Sequence, residues 1–544
     1  MISKLTPPTT DLITAHHAAG KKTYILPLTH PSVTTLLPLF PHLSYHTDVF
    51  ELRVDLLCDP AAPASSPPSC AYLKSQLELL QQATELPIMF TIRTLSQGGK
   101  WPDAAHEAAL EAMLMAVGAG CAYVDVEIEW PQEMIDVVVR EKGGSKIVGS
   151  FHDWTGHIPW GSEVLREKFE RADSFGDIPK LSIMATSIYD AYEQALFLRA
   201  HADHPKPILA VAMGAAGQLS RALAPISMIT HSLLPSSAPG QLTLTQVHSV
   251  MHLAGQLPKR NFFIFGNNIA HSLSPALHNT GFAELGLPHH YSIHETANVD
   301  EEIAAMMLEE TFGGASVTFP HKLQIGKYLQ KTSETARLVG AVNTVVVETD
   351  PKTGERVLLG DNTDWLGIKS CIEVNWPTPG GVSTAAAVVL GAGGAARAAC
   401  YALQKLGARK VYLINRTRSK SDELAADFPG LDFEHYLAMS DFPAEVSPVP
   451  NIVVGCVPAD DFVEADIPAQ FFSLAAEGGV LVEMAYRPLM TALMKVAGRF
   501  SGWKTSRGTD VLKEQAYHQF EMWTGRRAPS AVMSAAVDAV LAKK

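Results

Sequence analysis

The sequence predicts an α/β protein whose first half is a (βα)8 barrel. From Tyr24 to about Gln241, short apolar runs alternate with longer segments of helical period, which is the pattern of repeated βα units. Eight such units in about 220 residues fit a closed barrel better than an open sheet. The predicted strands are Tyr24–Leu28, Val49–Leu56, Pro87–Ile92, Ala122–Ile128, Lys146–Phe151, Pro179–Met184 and Ile208–Met213, with an eighth near Ile229.

Length and charge set limits on the function. At 544 residues the chain exceeds the roughly 250–300 residues at which single cores stop growing, so we expect two or three domains. Lysine and arginine total 43 against 56 acidic residues, and the net charge of −13 argues against a nucleic-acid partner. The six cysteines form no CxxC pair, so we predict neither a metal site nor disulfides. No signal peptide or membrane span is predicted, and we expect a cytoplasmic protein.

Polar residues cluster where the barrel strands end, and two of them suggest a reaction. Lys180 is predicted to end one strand in an amine, and His152 ends the preceding strand in an imidazole. An amine beside a general base at the carboxyl face of a barrel indicates Schiff-base chemistry. Seven such residues converge on this face, and they are Glu51, Arg53, Asp55, Arg93, Glu127, His152 and Lys180.

The barrel half also carries a series of short motifs in a fixed order. They are Glu51-Leu52-Arg53-Val54-Asp55, Phe90-Thr91-Ile92-Arg93, Gly98-Gly99, Asp125-Val126-Glu127, Ser150-Phe151-His152-Asp153, Met213-Gly214, Ser220-Arg221 and Ser237-Ala238-Pro239-Gly240-Gln241. Together with Lys180, this series resembles the type I dehydroquinate dehydratases over nearly all of residues 24–245. The resemblance implies that Lys180 forms an iminium with the ketone of 3-dehydroquinate and that His152 removes the adjacent proton.

The same resemblance implies how the substrate is bound. The substrate carboxylate is assigned to Arg221, Ser237 and Gln241, and Arg93 reaches nearby hydroxyl groups; the remaining substrate contacts are Glu51 and Arg53. Because the attacking amine must be unprotonated, we expect neighbouring arginines, Arg53 or Arg221, to lower the pKa of Lys180.

One position departs from the family pattern. Gln97 stands where many members have a glutamate that orients the histidine, and we expect Glu127 to compensate.

A polar linker, Gly255 to Arg260, separates the barrel from a second α/β segment. Further on, Val388-Val389-Leu390-Gly391-Ala392-Gly393-Gly394-Ala395-Ala396-Arg397 is an apolar strand, a glycine turn and the start of a helix, which is typical of a dinucleotide-binding Rossmann unit. Two segments of helical period, Thr509–Trp523 and Ser530–Lys543, end the chain and are expected to pack on the middle domain. We therefore predict a barrel at 1–257, a substrate domain at 258–380 with 506–544, and a Rossmann domain at 381–505.

Four further motifs run through the second half. They are Ser272-Leu273-Ser274-Pro275, Ser316-Val317-Thr318-Phe319-Pro320-His321-Lys322, Gly340-Ala341-Val342-Asn343-Thr344 and Gly360-Asp361-Asn362-Thr363-Asp364. They resemble the shikimate dehydrogenases, although the first motif residue of the lysine loop is Ser316 where asparagine is usual. The resemblance implies a proton-donating Lys322 oriented by Asp364. It assigns the substrate contacts to Ser272, Ser274, Thr318, Asn343 and Gln515, with Gln519 the weaker alternative to Gln515.

The cofactor prediction rests on the glycine turn and the next strand end. Gly391, Gly393, Gly394, Ala395 and Ala396 supply the turn, whose backbone amides can approach a pyrophosphate. The following strand ends in Asn415-Arg416-Thr417-Arg418 rather than an acidic residue, which favours NADP(H) over NAD. By resemblance, Tyr486 lies near the nicotinamide.

The order of the two halves resembles the two C-terminal domains of the fungal pentafunctional arom protein. We therefore predict a bifunctional enzyme that dehydrates 3-dehydroquinate to 3-dehydroshikimate and reduces it to shikimate with NADPH. These small molecules are the only predicted ligands, with no metal, nucleic acid or membrane. Two alternatives stay open, a catabolic quinate or shikimate dehydrogenase fusion and a non-catalytic regulator of quinate metabolism. Neither the oligomeric state nor the preference for shikimate over quinate follows from the sequence.

Overall fold

The computed structural model describes residues 11–63, 66–350, 353–376 and 385–543. The chain divides into two compact units, Met1–Pro258 with Glu284–Pro288 and Lys259–Ala283 with His289–Lys544. The predicted boundary between residues 380 and 381 lies outside the described residues, and the other predicted domain limits stay predictions. Within the described ranges, no helix combines the length and the apolar character needed to cross a membrane.

Eight short strands form the sheet of the first unit. Their residues are buried along nearly the whole length of each strand, as expected where a parallel sheet is covered on both faces. They are β1 Thr23–Leu28, β2 Val49–Arg53, β3 Ile88–Thr91, β4 Tyr123–Glu127, β5 Lys146–Asp153, β6 Ile178–Met184, β7 Leu209–Met213 and β8 Ile226–Met228.

The sheet is a nearly closed barrel. Its strand order is β7-β6-β5-β4-β3-β2-β1-β8, and each neighbouring pair is parallel. The predicted (βα)8 barrel is therefore confirmed, including a short eighth strand that ends just before Ile229. One predicted strand was too long, because Val54–Leu56 forms a 3-10 helix after Arg53.

Helices connect these strands, and polar caps fix where several of them begin. Ser162 accepts a hydrogen bond from the backbone N–H of Leu165, and Thr243 forms a capping box with Gln246. The helices of this unit are α1 Leu12–Ala18, α2 Phe40–Leu43, α3 Cys70–Ala83, α4 His106–Gly118, α5 Gln132–Glu141, α6 Glu163–Phe175, α7 Tyr189–Ala200, α8 Gln218–Leu223 and α9 Leu244–Leu253.

The second unit contains two six-stranded sheets. The strands of the first sheet are β9 Asn261–Gly266, β10 His290–Glu295, β11 Phe312–Val317, β12 Lys331–Thr332, β13 Thr344–Thr349 and β14 Arg356–Asp361. The strands of the second are β15 Ala386–Leu390, β16 Lys410–Ile414, β17 Asp432–Tyr436, β18 Pro450–Gly455, β19 Val480–Glu483 and β20 Lys504–Ser506.

The two sheets differ in topology. The first has the order β10-β9-β11-β13-β14-β12 and is mixed, because β13 is antiparallel to both of its neighbours. The second is wholly parallel with the order β17-β16-β15-β18-β19-β20, the doubly wound 3-2-1-4-5-6 arrangement. The strand order reverses between β15 and β18, and open sheets of this kind bind nucleotides at that point.

The helices of the second unit include a long one near the end of the chain, which packs on the mixed sheet. Trp523 donates from Nε1 to the carbonyl of Val345 at 3.0 Å, and Phe520 stacks on Phe282. The helices are α10 Ser274–Glu284, α11 Glu301–Leu308, α12 Glu334–Val339, α13 Asp364–Asn375, α14 Gly394–Leu406, α15 Arg418–Asp427, α16 Gln470–Ser473, α17 Ala492–Ala497, α18 Gly508–Thr524 and α19 Ser530–Leu541.

Candidate active sites

One pocket inside the barrel gathers the predicted residues of the first unit. Its wall comes from several strands and from the loop after β8, so residues far apart in the chain face the same space. All eight predicted site residues line it, namely Glu51, Arg53, Arg93, His152, Lys180, Arg221, Ser237 and Gln241.

Lys180 lies inside a strand, as in the predicted strand Pro179–Met184, and not at the strand end where its amine was placed. It is the third residue of β6, and its side chain is buried in the barrel interior. Its Nζ donates to Asp125 Oδ2 at 2.8 Å and lies 3.5 Å from Glu51 Oε1. The amine therefore contacts two carboxylates, and the expected effect of Arg53 or Arg221 on it stays a prediction.

Asp125 was missed as a site residue. Its Oδ1 accepts hydrogen bonds from Arg93 at 2.9 Å and from Ser150 at 2.6 Å, while Oδ2 holds Lys180. Burial acts to raise the pKa of Asp125, but the positive charges of Arg93 and Lys180 outweigh burial and hold it below its usual value. The carboxylate therefore places a negative charge beside the lysine nitrogen. Its spacing of two from Glu127 on β4, which puts both on the inner face, was the available signal.

His152 is placed to act as a neutral base. Burial, followed by the positive charges of Arg93, Lys180 and Arg53, lowers its pKa well below the usual value. Its Nδ1 is buried and has no hydrogen-bond partner among the described residues. An imidazole in this state is ready to accept a proton from a bound molecule.

Gln97, which departs from the family pattern, contacts the backbone of His152. Gln97 Oε1 accepts a hydrogen bond from the His152 backbone N–H at 2.8 Å, and its carbonyl accepts one from Trp154 Nε1 at 2.7 Å. The Glu127 carboxylate is bonded to Arg93 and to Thr94, and its compensation for Gln97 stays a prediction. Gln97 thus fixes the end of β5 without placing a charge there.

Arg221 is a buried cation with no acidic partner in the described part of the chain. It donates from Nε to the Gly240 carbonyl at 2.9 Å and from Nη1 to the Met228 carbonyl at 2.7 Å. Burial lowers its pKa to about 10. A surface ion pair is thereby excluded as its role. Ser237 and Gln241 lie in the same wall, where the Ser237 backbone N–H donates to Gln241 Oε1 at 2.8 Å.

The second unit brings together the predicted lysine and aspartate. Lys322 lies in the 3-10 helix His321–Leu323 after β11, and Asp364 is the first residue of α13. Lys322 Nζ donates to Asp364 Oδ2 at 2.5 Å, and Asn343 Nδ2 donates to Asp364 Oδ1 at 2.9 Å. Gln515 accepts from Asn343 Nδ2 at 3.2 Å. Four of the predicted residues therefore form one hydrogen-bonded cluster.

The remaining predicted substrate contacts lie on neighbouring loops. Ser274 begins α10 and is buried, and its backbone N–H donates to Ser272 Oγ at 3.3 Å. Thr318 follows β11 directly and donates its backbone N–H to the Phe265 carbonyl at 2.9 Å. The side chain of Gln519 is bonded within the protein, to Ser316 at 2.9 Å and to Thr344 at 2.8 Å.

A second large pocket opens at the point where the parallel sheet reverses its strand order. Gly391 directly follows β15 with a φ of +101°, and a Cβ there would lie 3.0 Å from Val457 and 3.2 Å from the Cys456 carbonyl oxygen. Glycine is therefore needed at this turn. The predicted residues that line the pocket are Gly391, Gly393, Gly394, Asn415, Arg416 and Thr417.

Four predicted cofactor residues are not in that lining. Ala396 is fully buried in α14, where its small side chain lets the helix approach the sheet. Arg418 is paired with Asp422 at 2.9 Å on the surface of α15. Ala395 lies one residue before Ala396 in α14, and the Tyr486 ring lies 6.3 Å from that of His271.

Lys420 lines the cofactor pocket and was missed by the sequence analysis. It is the third residue of α15 and lies four positions after Arg416, which lines the same pocket from the loop before the helix. In the described residues, no group of three or more histidine, cysteine, aspartate or glutamate side chains is arranged to hold a metal.

Comparison with known families matches both units. The first match is to type I 3-dehydroquinase, over residues 24–258. In the second unit, the shikimate dehydrogenase substrate binding domain matches residues 264–345, the shikimate / quinate 5-dehydrogenase family matches residues 378–464, and the shikimate 5'-dehydrogenase C-terminal domain matches residues 508–537.

Similarity to known proteins extends across both units of this chain. The dehydroquinate dehydratase and shikimate dehydrogenase structure from S. pombe AroM is 36% identical, covers 96% of this chain and 99% of its own, and superposes with a TM-score of 0.81. The pentafunctional AROM polypeptides of Mycosarcoma maydis and Malassezia globosa are 38% and 42% identical over 97% and 93% of this chain. The chain spans 32% and 31% of the length of these two relatives.

Proposed function

The chain belongs to the type I 3-dehydroquinase and shikimate dehydrogenase families, and we propose that it catalyses both reactions in sequence. The first unit dehydrates 3-dehydroquinate to 3-dehydroshikimate, and the second reduces that product to shikimate with NADPH. The observation that carries the proposal is the pairing of the Lys180 amine with a neutral His152 in one pocket. We keep the predicted domain limits for the three domains and propose that the enzyme acts in the cytoplasm.

In the first reaction, Lys180 Nζ adds to the C3 carbonyl of 3-dehydroquinate, and loss of water leaves an iminium. Asp125, held ionised by Arg93, stabilises the positive charge that the iminium nitrogen carries. His152 then takes a proton from C2, and the electron pair flows into the iminium. The same imidazole returns the proton to the C1 hydroxyl, which leaves as water. Hydrolysis of the conjugated iminium releases 3-dehydroshikimate and restores the amine.

The substrate carboxylate is assigned to Arg221. Among the described residues, this buried guanidinium bonds only carbonyl acceptors, so it gains an opposite charge when a carboxylate binds. Ser237 and Gln241, in the loop after β8, offer neutral hydrogen bonds beside it.

In the second reaction, the Lys322–Asp364 pair acts on the substrate oxygen. Lys322 donates a proton to the oxygen as the ketone is reduced, and Asp364 holds the ammonium in position. Asn343 and Gln515, bonded to the same cluster, are placed to contact the neighbouring hydroxyl groups. When bound, NADPH supplies the hydride. The glycine turn at Gly391 and the cationic side chains of Arg416 and Lys420 fit its pyrophosphate and its 2'-phosphate.

A coupled assay with 3-dehydroquinate and either NADPH or NADH tests the proposal. We expect Lys180→Ala to abolish enone formation while leaving reduction of supplied 3-dehydroshikimate intact, and Lys322→Ala to do the reverse. Lys180→Arg is the matched control, because it keeps a positive charge beside Asp125 but cannot form an imine, and it should be equally inactive. Borohydride should trap substrate on the wild-type protein and not on either Lys180 variant. Turnover by the lysine variants at the wild-type rate would contradict the proposed roles.

Two alternatives make different predictions in the same assay. A catabolic enzyme would oxidise quinate at least as well as shikimate, so the ratio of the two kcat/KM values separates it from the biosynthetic assignment. A non-catalytic regulator would bind the substrates without turnover in either unit. The shared pocket of Lys180 and His152 and the short Lys322–Asp364 contact favour catalysis, since a binding protein needs neither.

A further inference from the structure

A continuous chain of hydrogen bonds leads from the interior of the second unit to the Lys322–Asp364 pair. Tyr291 donates to Ser316 Oγ at 2.7 Å, and Ser316 donates to Gln519 Oε1 at 2.9 Å. Gln519 Nε2 donates to Thr344 Oγ1 at 2.8 Å, and Thr344 donates to Asn343 Oδ1 at 2.7 Å. Asn343 Nδ2 completes the chain at Asp364 Oδ1, 2.9 Å away.

The direction of each bond is set by the one before it. Ser316 has a single hydroxyl proton, and because its oxygen accepts from Tyr291 that proton goes to Gln519. The carboxamide of Gln519 is thereby turned with its NH2 group toward Thr344. Thr344 accepts there, so its own proton is free to reach Asn343 Oδ1.

At its far end, this chain of directed hydrogen bonds reaches Asn343 and the Lys322–Asp364 pair. Asn343 Oδ1 accepts from Thr344 and from the Thr363 backbone N–H at 2.8 Å, so its NH2 group faces Asp364. Asp364 then receives one donor on each oxygen, with Lys322 on the other. We call the chain from Tyr291 through Ser316, Gln519, Thr344 and Asn343 to Asp364 the relay. Its residues before Asp364 are all at least nine-tenths buried, where hydrogen bonds polarise one another and water does not substitute for them.

We propose that Ser316, Gln519 and Thr344 are positioning residues that orient Asn343 and, through it, the Asp364 carboxylate that holds Lys322. This inference rests on the proposed reductase function. It gives Gln519 a positioning role, because its carboxamide links Ser316 to Thr344 inside the protein. It also accounts for serine at position 316, since a hydroxyl is short enough to leave room for the Gln519 side chain.

The test is a double-mutant cycle between two residues of the relay, Ser316 and Thr344. Ser316→Ala removes the donor that orients Gln519, and Thr344→Val keeps the side-chain shape while removing the hydroxyl in the middle. Each single change should lower the reductase kcat by about tenfold, with KM for 3-dehydroshikimate changed less than about threefold. Because both changes break one relay, the double variant should be no slower than the worse single variant, whereas independent effects would multiply to about a hundredfold.

Three controls make each outcome decisive. Ser506→Ala removes a buried hydroxyl that bonds Asn375 at 3.0 Å outside the relay, and its reductase kcat should equal that of the wild type. Dehydratase turnover in the same preparations measures the fraction of intact protein. Gln519→Glu keeps the volume but removes the NH2 donor, so it tests the relay if Ser316→Ala fails to fold. Multiplying losses, or single variants that lose thermal stability but keep kcat, would overturn the proposal. Absence of reductase turnover in the wild type would instead contradict the proposed function.

Discussion

Replacing Arg221 by methionine separates a ligand-binding arginine from a structural one. Arg221 is 2% exposed, and among the described residues its guanidinium bonds only two backbone carbonyls, those of Gly240 and Met228. Burial lowers its pKa to about 10, and this fall from the ordinary arginine value corresponds to a cost of about 3 kcal/mol for burying the charge. Because the folded pKa is the lower one, this cost is present in full below pH 10 and disappears as the pH rises to the ordinary pKa of arginine.

The two effects of the substitution on the free protein nearly cancel. Methionine removes the cost of the buried charge, but it leaves the carbonyls of Gly240 and Met228 without a donor, at about 1–3 kcal/mol each. We therefore expect the free energy of unfolding to change by at most about 3 kcal/mol. Substrate binding has no such compensation, because a buried cation facing a carboxylate contributes about 2–5 kcal/mol.

The expected result for Arg221→Met is a fall of several hundredfold in the dehydratase kcat/KM, with the melting temperature little changed. The same variant should lose the rise in melting temperature that quinate, which carries the same carboxylate, gives the wild type. Arg140→Met is the matched control, since that side chain is 66% exposed and should leave both measurements unchanged. A kcat/KM for Arg221→Met within about threefold of the wild type would refute the carboxylate assignment.

Three further predictions follow from the site geometry. The low pKa of His152 keeps it neutral at pH 6.5, so the dehydratase rate should fall only at more acidic pH; Gln97→Glu adds a negative charge that raises this pKa, and the acid limb of the pH–rate profile should move upward. Arg416→Ala should raise KM for NADPH about tenfold or more without affecting NADH, while Arg418→Ala, already paired on the surface, should leave both constants unchanged, as steady-state kinetics will determine. Asp364→Asn should lower the reductase kcat by about a hundredfold and leave dehydratase turnover intact, and equal losses in both assays would contradict this assignment.

The sequence located the barrel strands well because each is a short apolar run between polar segments. Its errors lie at strand ends, where the residue type does not reveal the backbone. Lys180 lies inside β6, as in the predicted strand Pro179–Met184, and not at a strand end, because barrel interiors accept a lysine when a carboxylate pairs with it, here Asp125 on β4. Leu56 was assigned to a strand that ends at Arg53, where the chain turns into a 3-10 helix.

Partners that meet only through the closed barrel could not be predicted. The contact of Asp125 with Lys180 joins residues 55 positions apart, and no local pattern encodes it. In the second unit, the hydrogen bond between Ser316 and Gln519 joins residues 203 positions apart. The sequence therefore indicated that Ser316 departs from the family pattern and that Gln519 is the weaker substrate candidate, but it did not link the two. The glycine turn at Gly391 was predictable because its requirement is local, a positive φ with no room for a Cβ.

Converging charged residues in the barrel indicated the right place but not which residues react. Arg53 is neutralised by Asp55 through two bonds of 2.8 Å, and Arg93 is neutralised by Asp125 and Glu127. Such pairs contribute to the electric field of the pocket, and their charges are balanced within the protein. Two groups of the pocket are not neutralised or bonded in this way. The buried Arg221 cation lacks an acidic partner in the described residues, and the Nδ1 atom of His152 has no hydrogen-bond partner there. A ligand that satisfies both must carry an anionic group and an acidic proton, and 3-dehydroquinate has both.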